Sequence, residues 1–274
     1  METLNNKIDF AVIFSVKGAN PNGDPLNGNR PRVNYDGMGE LSDVCLKRKI
    51  RNRLMENGSA IFVQSDDNRV DEYRSLRNRA EGVLGKTVMK DEKKLFENSC
   101  KTWIDVRAFG QVFAYGGEKK GEGVSVGIRG PVSIHSAFSV APVDVTSLQI
   151  TKSVSGEGDG EKKASDTMGV KHRVDQGVYF FFGSMNPQLA EKTKFSDKDA
   201  ENIKRVLPKL FENDASSARP EGSMRVSKVI WWKHNCKSGQ YSSARVHKTL
   251  TVNPDGTHSL DKLEGLRPEE IEGF

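Results

Sequence analysis

Lys7 to Lys17, KIDFAVIFSVK, is short, dense in β-forming residues and closed by Gly18, so it reads as a core strand. The stretch after it, Gly18 to Gly39, gathers Asn20-Pro21, Asn22-Gly23, Asp24-Pro25 and Asn27-Gly28 into one run. Such dipeptides supply the positive and fixed φ angles of turns, which predicts a long ordered loop. In a compact domain a loop of that length is functional or disordered. Ser42 then has the chemistry of a helix N-cap, with Asp43 in the first turn and Gly58 beyond the end. Leu46, Ile50 and Leu54 form one apolar stripe, and Lys47, Arg48, Lys49, Arg51 and Arg53 fill the rest. The expected helix is buried on one side and cationic elsewhere.

Outward from this block, Met55 to Lys101 turns polar and weakly periodic, with Asp66–Arg79 and Met89–Asn98 readable as exposed helices. The whole stretch is expected to stand off the core as an insertion. Apolar density returns in Trp103–Phe113, a glycine-rich run follows from Gly116 to Gly130, and Pro131–Ile150 is strand-like. Thr151 to Asp166, with Gly156, Gly158, Gly160, Lys162 and Lys163, reads as a charged excursion between two β segments. Gly177–Ser184 reads as a buried strand. Ser196-x-x-Asp199 is a capping box opening a second helix with Ile203, Leu207 and Leu210, which Pro208 should kink or shorten. Arg225–His234 reads as a final strand, and the acid-rich tail Asp261–Phe274 as peripheral. Without its excursions the order is βαββαβ, an α+β, ferredoxin-like core. RNA-recognition modules use that core with one sheet face open to bases, but so do many unrelated proteins.

The chain has 274 residues and a formal charge of +5, a mild basic excess that permits a polyanionic partner without requiring one. No apolar run approaches the roughly 20 residues of a membrane-spanning helix. Met1–Ile8 lacks the layout of a signal peptide, so a cytoplasmic location is expected. Cys45, Cys100 and Cys236 are scattered and odd in number, which fits a reducing compartment. His234-x-Cys236 is the only close soft-ligand pair, too few for a closed metal site, and reads as a bystander. No metal or cofactor is expected.

Gly121-x-Gly123-x-x-x-Gly127 misses dinucleotide-loop spacing, and no phosphate-binding P-loop exists. The Gly18–Gly39 loop instead offers Asn20, Asn22, Arg30 and Arg32 as amide and guanidinium donors suited to phosphate oxygens, although Asn, Gly and Pro also serve simply as turn residues. Lys47 and Arg51, four apart, would project from one helix face and could track successive phosphates, or merely face water. Asp24, Asp36 and Asp43 could serve metal-assisted cleavage only if they converged; turn and helix-start roles explain them equally. His172, between Lys171 and Arg173, reads as part of a basic strip. Tyr179, Phe180, Phe181, Phe182, Trp231 and Trp232 lie on expected strands; most should be core, with one or two free to stack on bases.

Asn20-Pro21-Asn22-Gly23-Asp24-Pro25, Arg30-Pro31-Arg32 and Ser42–Arg51 together closely resemble the start of the backbone subunit of type I-C CRISPR Cascade, the Cas-seven family of the RAMP superfamily. Asp105-Val-Arg107-x-Phe109-Gly110, Gly130-Pro131-Val132, Met168–His172, Phe211–Asp214 and Ser217-Ala218-Arg219 echo it in order along most of the chain. The resemblance implies an RRM-like palm (1–54 with 124–148 and 174–274), a finger-like insertion (55–123) and a thumb-like hairpin (149–173). It also implies a non-catalytic subunit that polymerises head to tail along guide RNA (crRNA), beside other Cascade subunits, and presents it to a target DNA strand. Carried over residue by residue, Lys47, Arg48 and Arg51 become phosphate ligands and Asn20 and Asn22 loop contacts. Lys152, Lys171, His172 and Arg173 become thumb contacts, with Met168 a wedge against a base. The alternative is a metal-dependent endoribonuclease like type III backbones, using Asp24.

Overall fold

Alternation along the opening strand sets the layers. In β1 (Ile8–Ala19), Phe10, Val12, Phe14 and Val16 enter one buried cluster while Ala11 and Ile13 enter another on the opposite face. The computed structural model describes residues 2–116, 123–153 and 168–274. Gly121 of the glycine run and Gly156, Gly158, Gly160, Lys162 and Lys163 of the excursion lie outside these.

The loop after β1 carries β2 (Gly23–Asp24) and β3 (Arg30–Pro31) and ends in β4 (Met38–Leu41), before helix α1 (Asp43–Glu56). Then come α2 (Leu76–Leu84), α3 (Glu92–Thr102), α4 (Ile104–Phe109), β5 (Gly110–Tyr115) and β6 (Val124–Arg129). β7 (Val132–Ile134), β8 (Ala137–Pro142) and β9 (Val145–Thr151) precede the long β10 (Met168–Met185), which leads to α5 (Pro187–Thr193) and α6 (Asp197–Val206). β11 (Met224–Lys233), α7 (Ser243–His247), β12 (Leu250–Val252), β13 (His258–Leu260) and β14 (Glu269–Glu272) follow.

The large sheet runs β14-β11-β1-β10-β8-β4, antiparallel throughout, with β7 and β9 also paired to β10. Counting β1, β7–β8, β10 and β11 as first to fourth, the spatial order is fourth, first, third, second, which is split-βαβ connectivity. The α1 stripe Leu46, Ile50 and Leu54 and the α6 residues Ala200, Ile203 and Val206 bury one sheet face. Pro208 stops the second helix: α6 ends at Val206 and a short 3-10 turn follows.

A separate cluster, including Phe62, Leu95, Trp103, Phe113, Val126 and Ile128, lies in the stretch between α1 and β7. β6, expected with the core by the division at 123/124, pairs instead with β5 and packs into this cluster. Trp103–Phe113 divides at Gly110, whose φ of +82° ends α4 and starts β5. Of the expected exposed helices, only Leu76–Leu84 and Glu92–Thr102 form. Three segments cover the second sheet face: α7, β12 and the Leu263–Leu266 turn place Val246, Leu250 and Leu266 against Ile230 and Trp232. The acidic tail is not wholly peripheral, since β14 extends the sheet beside β11.

Candidate nucleic-acid interface

The turn residues of the Gly18–Gly39 loop are spent on its own shape. Asn20 is buried; its Nδ2 donates to the Asn29 carbonyl at 2.6 Å and its backbone N–H to the Ala218 carbonyl at 2.8 Å. Asn22 Oδ1 accepts from the Ser42 N–H at 2.9 Å and the Ser42 hydroxyl at 3.0 Å, while Ser42 Oγ accepts the Cys45 N–H at 3.3 Å. The loop is thereby pinned to the N-cap of α1. Asn20 and Asn22 build this platform and turn their amides inward. Arg32 faces Asp24 at 3.4 Å, and Asp24 also caps the turn at Leu26 N–H, 3.2 Å away.

Along α1 the cations separate into two sets. Lys49 is 4% exposed and paired with Asp214, which also holds Arg219 at 3.0 Å. Arg51 corrects the spacing argument. Its side chain is 12% exposed, its Nε donates to buried Asp105 at 2.9 Å, and its guanidinium lies 5.1 Å from the Phe109 ring centroid. It therefore points into the protein, not along the surface beside Lys47. Lys47, half-buried on Asp43 at 2.8 Å, and Arg48, exposed on Asp67 at 3.3 Å, keep their charged ends within reach of solvent.

The base of the β9–β10 ribbon touches the loop. Arg30 donates to Ser147 Oγ at 2.7 Å and to the Val145 carbonyl at 3.3 Å, and His172 Nδ1 lies 2.9 Å from the same Ser147 oxygen. Pairing of Val174 with Val145 through Met168 with Thr151 carries the ribbon outward. Leu148, Ile150, Met168 and Val170 are exposed along it, an unusual apolar load for a two-stranded ribbon. Met168 Sδ accepts from Gln149 Nε2 at 3.7 Å, Arg173 pairs with Asp175 at 3.2 Å, and Lys171 and Lys152 are exposed. Hence Arg30 and His172 share the Ser147 hydroxyl, Asn20 and Asn22 tie the loop to Asn29, Ala218 and the N-cap of α1, and Lys47 and Arg48 stand on that helix.

The aromatic run divides between the faces. Tyr179 and Phe181 fill the helix-side core, and Phe180 and Phe182 pack beneath the C-terminal segments, as does Trp232, so these sheet aromatics are packed on both sides. The fully exposed aromatic is Tyr35, in the Asn34-Tyr35-Asp36-Gly37 turn, which the sequence reading passed over. A tyrosine flanked by turn residues has no core strand to follow inward, and that was its signal. His234 Nε2 lies 2.9 Å from Asp9 and its Nδ1 accepts the Gln240 N–H at 2.9 Å, so it is turned away from Cys236. Among the described residues no three His, Cys, Asp or Glu side chains are grouped to hold a metal ion, and no helix is long and apolar enough to cross a membrane.

The family model described as CRISPR-associated protein Cas7 matches residues 6–269. A CRISPR-associated protein Cas7 from Haloferax volcanii is 25% identical over 279 aligned positions, covering 97% of this chain and 81% of that protein. A chain of a solved CRISPR RNA-guided surveillance complex, pre-nicking, superposes with a TM-score of 0.51 at 16% identity, over 86% of this chain and 81% of that one; this likeness is one of fold.

Proposed function

Because the chain belongs to the CRISPR-associated Cas7 family, we propose that it is a backbone subunit of a type I Cascade, gripping guide RNA without cutting it. In this reading the split-βαβ unit is an RRM-like palm and the stretch from residue 55 through the β5–β6 hairpin is the finger-like insertion. Residues 149–173 form the thumb, of which 154–167 lie outside the described residues. Copies stack head to tail along the guide, with other Cascade subunits at their side, and the bases remain free to pair with a target DNA strand.

The observation that carries this reading is the joined platform of loop, helix and ribbon. Asn22 fixes the loop on the N-cap of α1, Arg30 fixes it on the ribbon, and Lys47 and Arg48 stand on α1. Cations on rigid elements can follow phosphates with little ordering cost, and gripping the backbone leaves base edges unread. Arg30, Arg32, Lys171, His172, Arg173 and Lys152 extend the cationic edge in this reading, and Met168 supplies the wedge. The type III-like alternative gains no support from Asp24, whose carboxylate is committed to a turn cap and to Arg32.

Native mass spectrometry of the protein with synthetic guides of increasing length tests the reading. Copy number should climb stepwise with RNA length and fall as salt is raised. A single copy regardless of length would point to a stand-alone RNA-binding module.

A further inference from the structure

Arg48 and Asp67 form an ion pair unlike the others on α1. Lys47 pairs with Asp43 on its own helix, and Arg51 with a buried carboxylate. Arg48, by contrast, reaches across to the loop that follows the α1 segment, where Asp67 Oδ2 lies 3.3 Å from Nη2; the two side chains are 51% and 68% exposed. That loop is firmly held at its root. Arg79 grips Asp71 with two bonds of 2.7 and 2.8 Å and the Phe62 carbonyl at 3.0 Å, and Gln64 Oε1 accepts the Val70 N–H at 3.0 Å. At its tip, Asp67 spans to a different element, with neighbouring Asp66 and Val70 exposed to solvent.

We propose that Asp67 is a displaceable counter-ion for Arg48, through which RNA occupancy of α1 is coupled to the 64–70 loop. The inference rests on the RNA-binding reading above. A solvent-exposed carboxylate–guanidinium pair is held weakly. A phosphodiester offers the same guanidinium a charge-assisted fork, and a polyanion that releases condensed counter-ions when it binds. The phosphate therefore takes Arg48, and the tip of the loop loses its only bridge to α1 among the pairs described. By reciprocity, whatever weakens the Asp67 pair strengthens the phosphate contact. The neighbouring Lys47–Asp43 pair stays on one helix, so its exchange moves no loop.

Asp67→Asn in the full chain, titrated with fluorescent oligouridylate at fixed salt, is the test. The isosteric change should tighten binding by about two- to fivefold, the range equivalent to one exposed ion pair. The gain should vanish in an Arg48→Ala background. Amide hydrogen exchange over 64–70 should rise when RNA is added to the unaltered protein, and should already be raised in free Asp67→Asn. Equal or weaker binding by Asp67→Asn, or exchange over 64–70 that RNA leaves unmoved, overturns the counter-ion role. If Arg48→Ala weakens RNA binding while Asp67→Asn leaves it unchanged, only this inference falls. If Arg48→Ala and Lys47→Glu both leave binding unchanged, the RNA-binding reading falls and the counter-ion with it.

Discussion

Arg51 shows how one side chain can move from a ligand row to the scaffold. Its partner Asp105 is fully buried and also accepts the Phe62 N–H at 2.8 Å and the Val63 N–H at 3.0 Å. Removing the guanidinium leaves that carboxylate without a counter-charge, so Arg51→Ala should cost on the order of 3–5 kcal/mol in urea unfolding. Lys47→Ala, at a surface pair, should change stability by less than about 0.5 kcal/mol. An Arg51→Ala protein of normal stability that has lost RNA would return Arg51 to the phosphate row. Helical spacing placed Lys47 and Arg51 on one face, and that geometry is correct as far as it goes. What spacing could not reveal is a carboxylate from a distant part of the chain arriving against that face. For the same reason Asn20 and Asn22 were legible as loop residues, while the partners that turn their amides inward were not.

At the scale of elements, local chemistry was read reliably. The Ser196–Asp199 capping box forms with both of its reciprocal bonds, and Ser42 caps α1 as its position demanded. The Gly110 division of Trp103–Phe113 was hidden because apolar density alone does not distinguish helix from strand. Elements are also joined through one buried carboxylate. Asp9 on β1 is held by Lys7 at 3.0 Å, by His234 after β11 at 2.9 Å and by His247 of α7 at 3.4 Å. Burial alone would raise its pKa, but the hydrogen bond from His234, the facing His247 and Ser243 side chains and the Lys7 ammonium outweigh burial and hold it well below the usual carboxylate range. A depressed folded pKa means the stabilisation is complete above the unfolded value of about 4 and is lost as pH falls below it. Asp9→Asn should therefore lower stability at neutral pH by about 3–5 kcal/mol and flatten the acid limb of the stability curve below pH of about 4. An unchanged acid limb would assign that loss to other carboxylates.

For the molecule as a whole, the βαββαβ order was visible in the sequence because each core strand is apolar and each helix carries its stripe. The cover on the second sheet face was not visible, since Val246, Leu250 and Leu266 sit singly in polar text. That cover shifts the proposed RNA contact from the open sheet of an RNA-recognition module to the loop, helix and ribbon at the sheet's edge.

In the proposed function, Lys47 and Arg48 hold the phosphates of a guide RNA. The most direct test is to produce the Lys47→Glu/Arg48→Glu protein together with its guide and measure the RNA that co-purifies per protein chain. Expected is RNA-depleted protein whose thermal unfolding matches the unaltered chain, because both side chains lie outside the core. Wild-type RNA content in that folded double variant would show that the guide's phosphates are held elsewhere.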